Sequence, residues 1–194
     1  TQILIPFHNR PCGTRLSLGI QTKQTWNVSQ YRTIFLAVME QDKFSKVLSR
    51  LQAQCSRREF CTSDIRAKAL KSMEGDAEAA DRIVTSLKED KFVDDLRYAS
   101  AFAREKASLS GWGAQKITYA LICKGIDRQV VTEALSEVDE NAAGRKLESV
   151  VAAKYRLLSE DPQCKLKLIR FALGRGYGYD EVKSAVDKVM KGEV

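Results

Sequence analysis

Two stretches of the chain, KITYALICKGIDRQVVTEAL (116–135) and KLIRFALGRGYGYDEVKSAV (167–186), align without a gap at an offset of 51 residues. Ile117 falls on Leu168, Leu121 on Ala172, Gly125 on Gly176, Ile126 on Tyr177, Val131 on Val182 and Leu135 on Val186. A weaker copy lies upstream. Ile65 and Ala69 match Ile117 and Leu121 at offset 52, and Ile83 and Leu87 match Val131 and Leu135 at offset 48. The change of offset places four extra residues in the first copy, around SMEGDAE. Self-similarity at a fixed period of this length is the signature of a repeat architecture.

The period inside each copy is helical. Fragments such as RIVTSLKED and ALICKGIDRQVVTEALSEVDE return apolar residues every three or four positions, and no sustained two-residue alternation follows residue 40. Each copy reads as three helices: near 43–55, 62–72 and 77–90; near 94–109, 113–124 and 128–138; near 143–158, 162–174 and 179–191. The punctuation agrees. SGWG (110–113) separates two helices, Lys124-Gly125 ends one with a glycine suited to the left-handed C′ position, and Asp127 can cap the next. Asp161-Pro162 offers an acid at an N-cap and a proline at N1.

A unit of about 50 residues has too little core to be very stable alone, so neighbouring units are expected to pack on one another. The expected fold is therefore all-α: a tandem array of three three-helix, helix-turn-helix-like repeats, elongated and open to curvature. The divisions are 39–90, 91–140 and 141–194.

Residues 1–38 stand apart. They contain Arg10, Arg15, Lys23 and Arg32, no acid, two of the three prolines, and no clear periodicity before YRTIFLAVM. This composition resembles a transit peptide. The reading preferred is an upstream extension before a start at Met39, or a cloning scar, and poor order is expected.

Charge follows the repeat. The net charge is +7, of which the first 38 residues carry four. Residues 43–71 hold eight Lys/Arg against Glu59 and Asp64, a balance of +6, whereas 72–90 balance at −4. The second copy runs +3 over 91–126 and −4 over 127–140; the third runs +5 over 141–176 and −1 over 177–194. The first two helices of each copy are basic and the third is acidic, and one polarity three times over points to an electrostatic function. The candidate contacts are Arg50, Arg57, Arg58, Arg66 and Lys68; then Arg97, Arg104, Lys106, Lys116 and Lys124; then Arg156, Lys165, Lys167 and Arg170. Such a stripe would attract phosphates or an acidic protein surface.

Little else suggests chemistry. The five cysteines, Cys12, Cys55, Cys61, Cys123 and Cys164, are odd in number and never spaced C-x-x-C, and His8 is the single histidine. A Cys/His metal site and a histidine-based triad are thus disfavoured, and a reducing compartment fits best. No cofactor is expected. GRGYGYD (174–180) follows no strand and is not a dinucleotide fingerprint. No apolar run approaches the roughly 18 residues of a membrane span. Tyr98, Phe102, Tyr119, Tyr155, Phe171 and Tyr177 read as core; Trp112, between two glycines, could stack on a base or pack in its loop.

The adjacent acids of VDDLRYASAF (93–102) could be a metal site, an acid/base pair or a helix start. Neighbouring helical residues point about 100° apart, so both in one first turn cannot converge on one metal. Asp94 reads as an N-cap, and Asp95 as a first-turn acid favoured by the helix dipole. Arg97 can pair with Asp94 or reach a partner.

The stretch FVDDLRYASAFAREKASLSGWGAQKITYALICKGID (92–127) resembles the signature of RecX regulatory proteins. The matching elements are Asp94-Asp95, Arg97-Tyr98-Ala99, Phe102, Arg104, Gly113, Lys116-Ile117 and Lys124-Gly125-Ile126. SRREFCTSDIRAKAL (56–70) resembles the first repeat of that family, with Asp64-Ile65 where Glu-Leu is commoner, and 169–186 resembles its third. The resemblance covers about residues 42 to 190. It implies a cytoplasmic, non-enzymatic modulator of the RecA recombinase that binds the RecA filament on single-stranded DNA along its groove. Such a protein hinders filament growth, and so ATP hydrolysis, strand exchange and the SOS co-protease activity. DNA binding is secondary, a monomer is expected, and no catalytic residues transfer. The competing reading is a helix-turn-helix-like DNA-binding module controlling transcription.

Overall fold

The computed structural model describes residues 28–192. The expectations placed on residues 1–27, including the order of that segment and the settings of His8 and Cys12, fall outside the described residues. Among the described residues nine α-helices form and no strand: α1 (Val28–Cys55), α2 (Thr62–Ser72), α3 (Ala77–Glu89), α4 (Asp95–Ser108), α5 (Ala114–Cys123), α6 (Arg128–Ser136), α7 (Glu140–Tyr155), α8 (Cys164–Leu173) and α9 (Tyr179–Lys191). From Met39 onward the chain is one compact unit. The preceding part of α1 keeps Phe35, Leu36 and Val38 exposed.

Three helices at a time share one core. Leu51 of α1, Ile65 and Ala69 of α2, and Ile83 and Leu87 of α3 form the first. Ala99 and Ala103 of α4, Ile117 and Leu121 of α5, and Val131 and Ala134 of α6 form the second. Leu147 and Val151 of α7, Leu168 and Ala172 of α8, and Val182 and Val186 of α9 form the third. Those on the second and third helix of each repeat lie where the internal alignment pairs the copies, and those on the first helices lie outside it. Removing a fully buried Leu, Ile or Val from water contributes about 1.5–3 kcal/mol, so the repeated pattern is the repeated core.

The helix ends follow local chemistry. Asp94 caps α4, its Oδ1 accepting the N–H groups of Leu96 (2.9 Å) and Arg97 (3.0 Å). Asp127 caps α6 through the N–H of Gln129. Gly125 and Gly176, aligned in the repeat, both sit at positive φ, +76° and +86°.

Three boundaries differ from expectation. α1 starts at Val28 rather than near 43, because no glycine or proline interrupts it before Cys55. α7 starts at Glu140 because Asp139, accepting from Asn141 and Ala142, caps it first. α8 starts at Cys164: Asp161 accepts the N–H of Gln163 and closes a separate turn ahead of the helix. Tyr119, read as core, is exposed, since its position lies off the Ile117/Leu121 face.

Candidate nucleic-acid and protein interface

The candidate surface lies on repeats that are tied to one another at their junctions. The first N–H groups of a helix lack intrahelical partners, and neither Cys61, before α2, nor Gly113, before α5, offers a side-chain cap. In both places the next repeat supplies the acceptors. Thr62 donates its backbone N–H (2.8 Å) and its hydroxyl (2.7 Å) to the Asp95 carboxylate. Ser63 donates its hydroxyl to the backbone carbonyl of Lys124 at 2.5 Å, just past the end of α5. One repeat later, Gly113 donates its N–H to the carbonyl of Arg175 (2.9 Å) and Gln115 to that of Gly176 (3.1 Å), just past the end of α8. The amino ends of α2 and α5 thus meet the carboxyl ends of α5 and α8, an arrangement that pairs opposite helix-dipole ends.

Side chains lock each junction. Cys61 is fully buried within the second repeat's core, and Lys124 Nζ lies 2.8 Å from Asp64. Burial works against the ionised Asp64, but hydrogen bonds from Lys124 and Cys61 and the charges of Lys124 and Lys68 hold its carboxyl below the usual range. The same carboxylate raises Lys124. Arg97 Nε pairs with Glu59 across the junction at 2.7 Å, and its guanidinium also donates to the carbonyls of Lys91 and Phe92. At the second junction Arg175 Nη1 donates to the Ser110 carbonyl at 2.7 Å. A Cβ on Gly113 would stand 2.2 Å from the Gly176 oxygen, and one on Gly176 would stand 2.4 Å from the Lys116 Cβ.

The fourteen candidate cations separate into groups on this frame. Arg66 pairs with Asp81, Arg97 with Glu59, Arg104 with Glu137, Lys106 with Glu105, Lys124 with Asp64, Lys165 with Asp187 and Lys167 with Asp161. Arg50 donates to Ser72. Arg58 (4.4 Å) and Lys68 (5.1 Å) flank the Phe60 ring, and Lys116 (4.6 Å) and Lys106 (5.8 Å) flank Trp112. Phe60 and Trp112 are themselves equivalent in the repeat, 52 residues apart. Trp112 is half-buried and packs edge-on against Phe102. Arg57, Arg156 and Arg170 are exposed with no side-chain partner among the described residues.

Arg50 and Lys68 come together with Lys71 around a cavity of about 430 Å³ between α1 and α2. Lys71 escaped the sequence reading, as did Lys154 and Arg175, which lie 5.7 and 4.8 Å from the Phe171 ring. The i+4 spacing of Arg175 after Phe171 was the available signal. A second cavity, of about 580 Å³, lies between repeats two and three and is lined by Trp112, Ile117, Gly144, Leu147 and Tyr177.

Among the described residues no group of three or more His, Cys, Asp or Glu could hold a metal, and no helix is long and apolar enough to cross a membrane. Cys55, Cys61 and Cys164 are buried free thiols and Cys123 an exposed one; burial raises the Cys55 pKa. The surface offers cations of the kind that suit phosphate or carboxylate on a frame of repeated cores.

Residues 94–135 match the family model described as RecX, second three-helix domain. A protein of Clostridium botulinum (strain Eklund 17B / Type B) named Regulatory protein RecX is 35% identical over 125 residues, covering 61% of this chain and 57% of that one. The Clostridium acetobutylicum protein of the same name is 28% identical over 158 residues, covering 78% of this chain and 72% of its own. The chain thus spans a little over half the length of the first of these relatives. A crystal structure of regulatory protein RecX superimposes with a TM-score of 0.72 at 21% identity, covering 80% of this chain and 77% of that one. That of RecX from Lactobacillus salivarius gives 0.66 at 20%, covering 76% and 97%. The repeated core, the capped VDD helix and these likenesses make the chain similar to the RecX regulatory proteins, and its second three-helix unit matches that family's own model.

Proposed function

We propose that the chain is a negative modulator of the RecA recombinase, working without catalysis in the cytoplasm as a monomer. It binds the RecA–single-stranded DNA filament along its groove and slows filament extension. ATP hydrolysis, strand exchange and SOS co-protease activity fall as a consequence. The observation that carries this reading is the recurrence of basic first and second helices on three interlocked repeats. A partner that is itself a polymer, negative through its DNA and its acidic patches, can meet such a surface several times over, and multivalent contact raises avidity without new chemistry.

The transcription-module reading has a specific observation against it. A recognition helix meets base edges with its amino-terminal residues, and here the amino ends of α2 and α5 are occupied by the following repeat. The two readings part on a binding experiment. Fluorescence anisotropy should show tighter association with RecA-coated single strands than with bare single strands or duplex. Tight, sequence-dependent duplex binding with no preference for the filament would favour the transcription module instead.

A further inference from the structure

The junctions set α8, α5 and α2 end to end, carboxyl end to amino end. Two of these helices share an unusual composition. α5 (AQKITYALIC) and α8 (CKLKLIRFAL) contain no acidic residue. Their inward residues, Ile117, Leu121, Leu168 and Ala172, are fully buried, so their outward residues are free to serve something else. Those outward residues set apolar groups among the exposed cations Lys165, Lys167 and Arg170. Tyr119 is 72% exposed and Leu166 54%, and Ile122 and Leu173 are also open to solvent. Ile122 and Leu173 are equivalent at the 51-residue offset, as are Tyr119 and Arg170, and Gln115 and Leu166. Arg170 is an exposed cation without a partner among the described residues.

Single exposed apolar residues are ordinary, whereas an apolar pair recurring at one helical face of two successive repeats, Ile122 and Leu173, with Tyr119 and Leu166 beside it on the same face, marks an interaction surface. We infer that the outward faces of α5 and α8 form one docking strip for an acidic protein surface with apolar pockets, recurring along a filament. This rests on the filament reading above and names the face that makes the protein contact. The occupant is protein rather than nucleic acid for a chemical reason. Ile122, Leu166 and Leu173 offer nothing to phosphate, and single-strand binding relies on aromatic platforms beside cations, of which this face has Tyr119 alone. An anchoring tyrosine with aliphatic neighbours and a flanking arginine is instead the composition of a protein–protein interface centre. The absence of acids on both helices suits an acidic partner and removes repulsion from it.

The test is the double substitution Tyr119→Ser with Leu166→Ser in the full chain. It leaves the charge unchanged and touches no buried residue. Its melting curve should match the parent's. Binding to RecA–single-stranded DNA filaments should weaken at least tenfold, with binding to bare single strands within twofold of the parent. A photo-crosslinking residue at position 119, which needs no loss of binding, should label the filament protein and not the DNA. Unchanged filament affinity overturns the strip. Equal loss on bare DNA, or crosslinks to DNA, assigns the face to nucleic acid and overturns it too. Failure of the unaltered chain to bind filaments at all would fell the filament reading itself and this partner with it.

Discussion

The carboxylate of Asp95 receives two hydrogen bonds from Thr62, one from its backbone N–H at 2.8 Å and one from its hydroxyl at 2.7 Å. One of two adjacent acids thus caps its own helix and the other caps a helix of the preceding repeat. Asp94→Ala should cost about 1 kcal/mol, the ordinary value of a lost N-cap. Asp95→Ala removes two bonds to a charged acceptor and should cost more, about 1.5–3 kcal/mol. Urea unfolding of both variants gives the comparison. Equal losses would mean that the inter-repeat bonds add nothing, and a stable Asp94→Ala protein that no longer inhibits RecA would contradict its capping role.

The second junction admits no side chain. Gly176→Ala puts a Cβ 2.4 Å from that of Lys116 at a φ of +86°, and Gly113→Ala puts one 2.2 Å from a carbonyl oxygen. Each should destabilise by about 1–3 kcal/mol or more, as overpacking does. Gly144→Ala is the control, for nothing lies within 4 Å of its new methyl. It should stabilise α7 by about 0.5–1 kcal/mol. Thermal melts of the three variants should fall on opposite sides of the parent.

The Asp64–Lys124 pair predicts a pH window. The Asp64 carboxyl is lowered, so its contribution exists above the unfolded value of about 3.9 and is lost as pH falls through the folded one. Lys124 is raised, so its contribution exists below about 10.4 and is lost as pH rises past its folded value. Both groups are half-exposed, which limits the pair to about 0.2–1 kcal/mol. The stability difference between the parent and Asp64→Asn should therefore be constant from about pH 5 to about pH 9 and shrink as pH falls through the folded Asp64 value. A difference that stays constant throughout the acid range would assign the effect to packing.

Charge reversal at Arg57, Arg58 and Lys68 should weaken RecA inhibition about tenfold, about 1.4 kcal/mol, and leave the protein folded. Arg57 has no partner among the described residues, and the other two flank Phe60. The loss should shrink as salt rises, because counterions already screen the stripe. Undiminished inhibition at low salt would remove these residues from the contact surface.

The core was legible because burial repeats with the chain: Ile117 and Leu168 are interchangeable at 51 residues and both are fully buried. Helix ends were legible where the cap is local, as at Asp94 and Asp127. Contacts across a junction were not, since Asp95 and Thr62 lie 33 residues apart and no periodicity links them. Arg97 shows the same limit. Its sequence neighbour Asp94 was the visible partner, but Glu59, 38 residues away, takes the guanidinium. The charge pattern marks basic helices but not which cations the fold engages. Seven of the fourteen candidates lie in ion pairs, a matter of three-dimensional proximity.

The most direct test of the functional account is the RecA ATPase on single-stranded DNA with this protein added well below one molecule per RecA. The account predicts a progressive fall in the hydrolysis rate as filaments fail to extend. An unchanged rate, with filaments formed and the added chain folded, would contradict it.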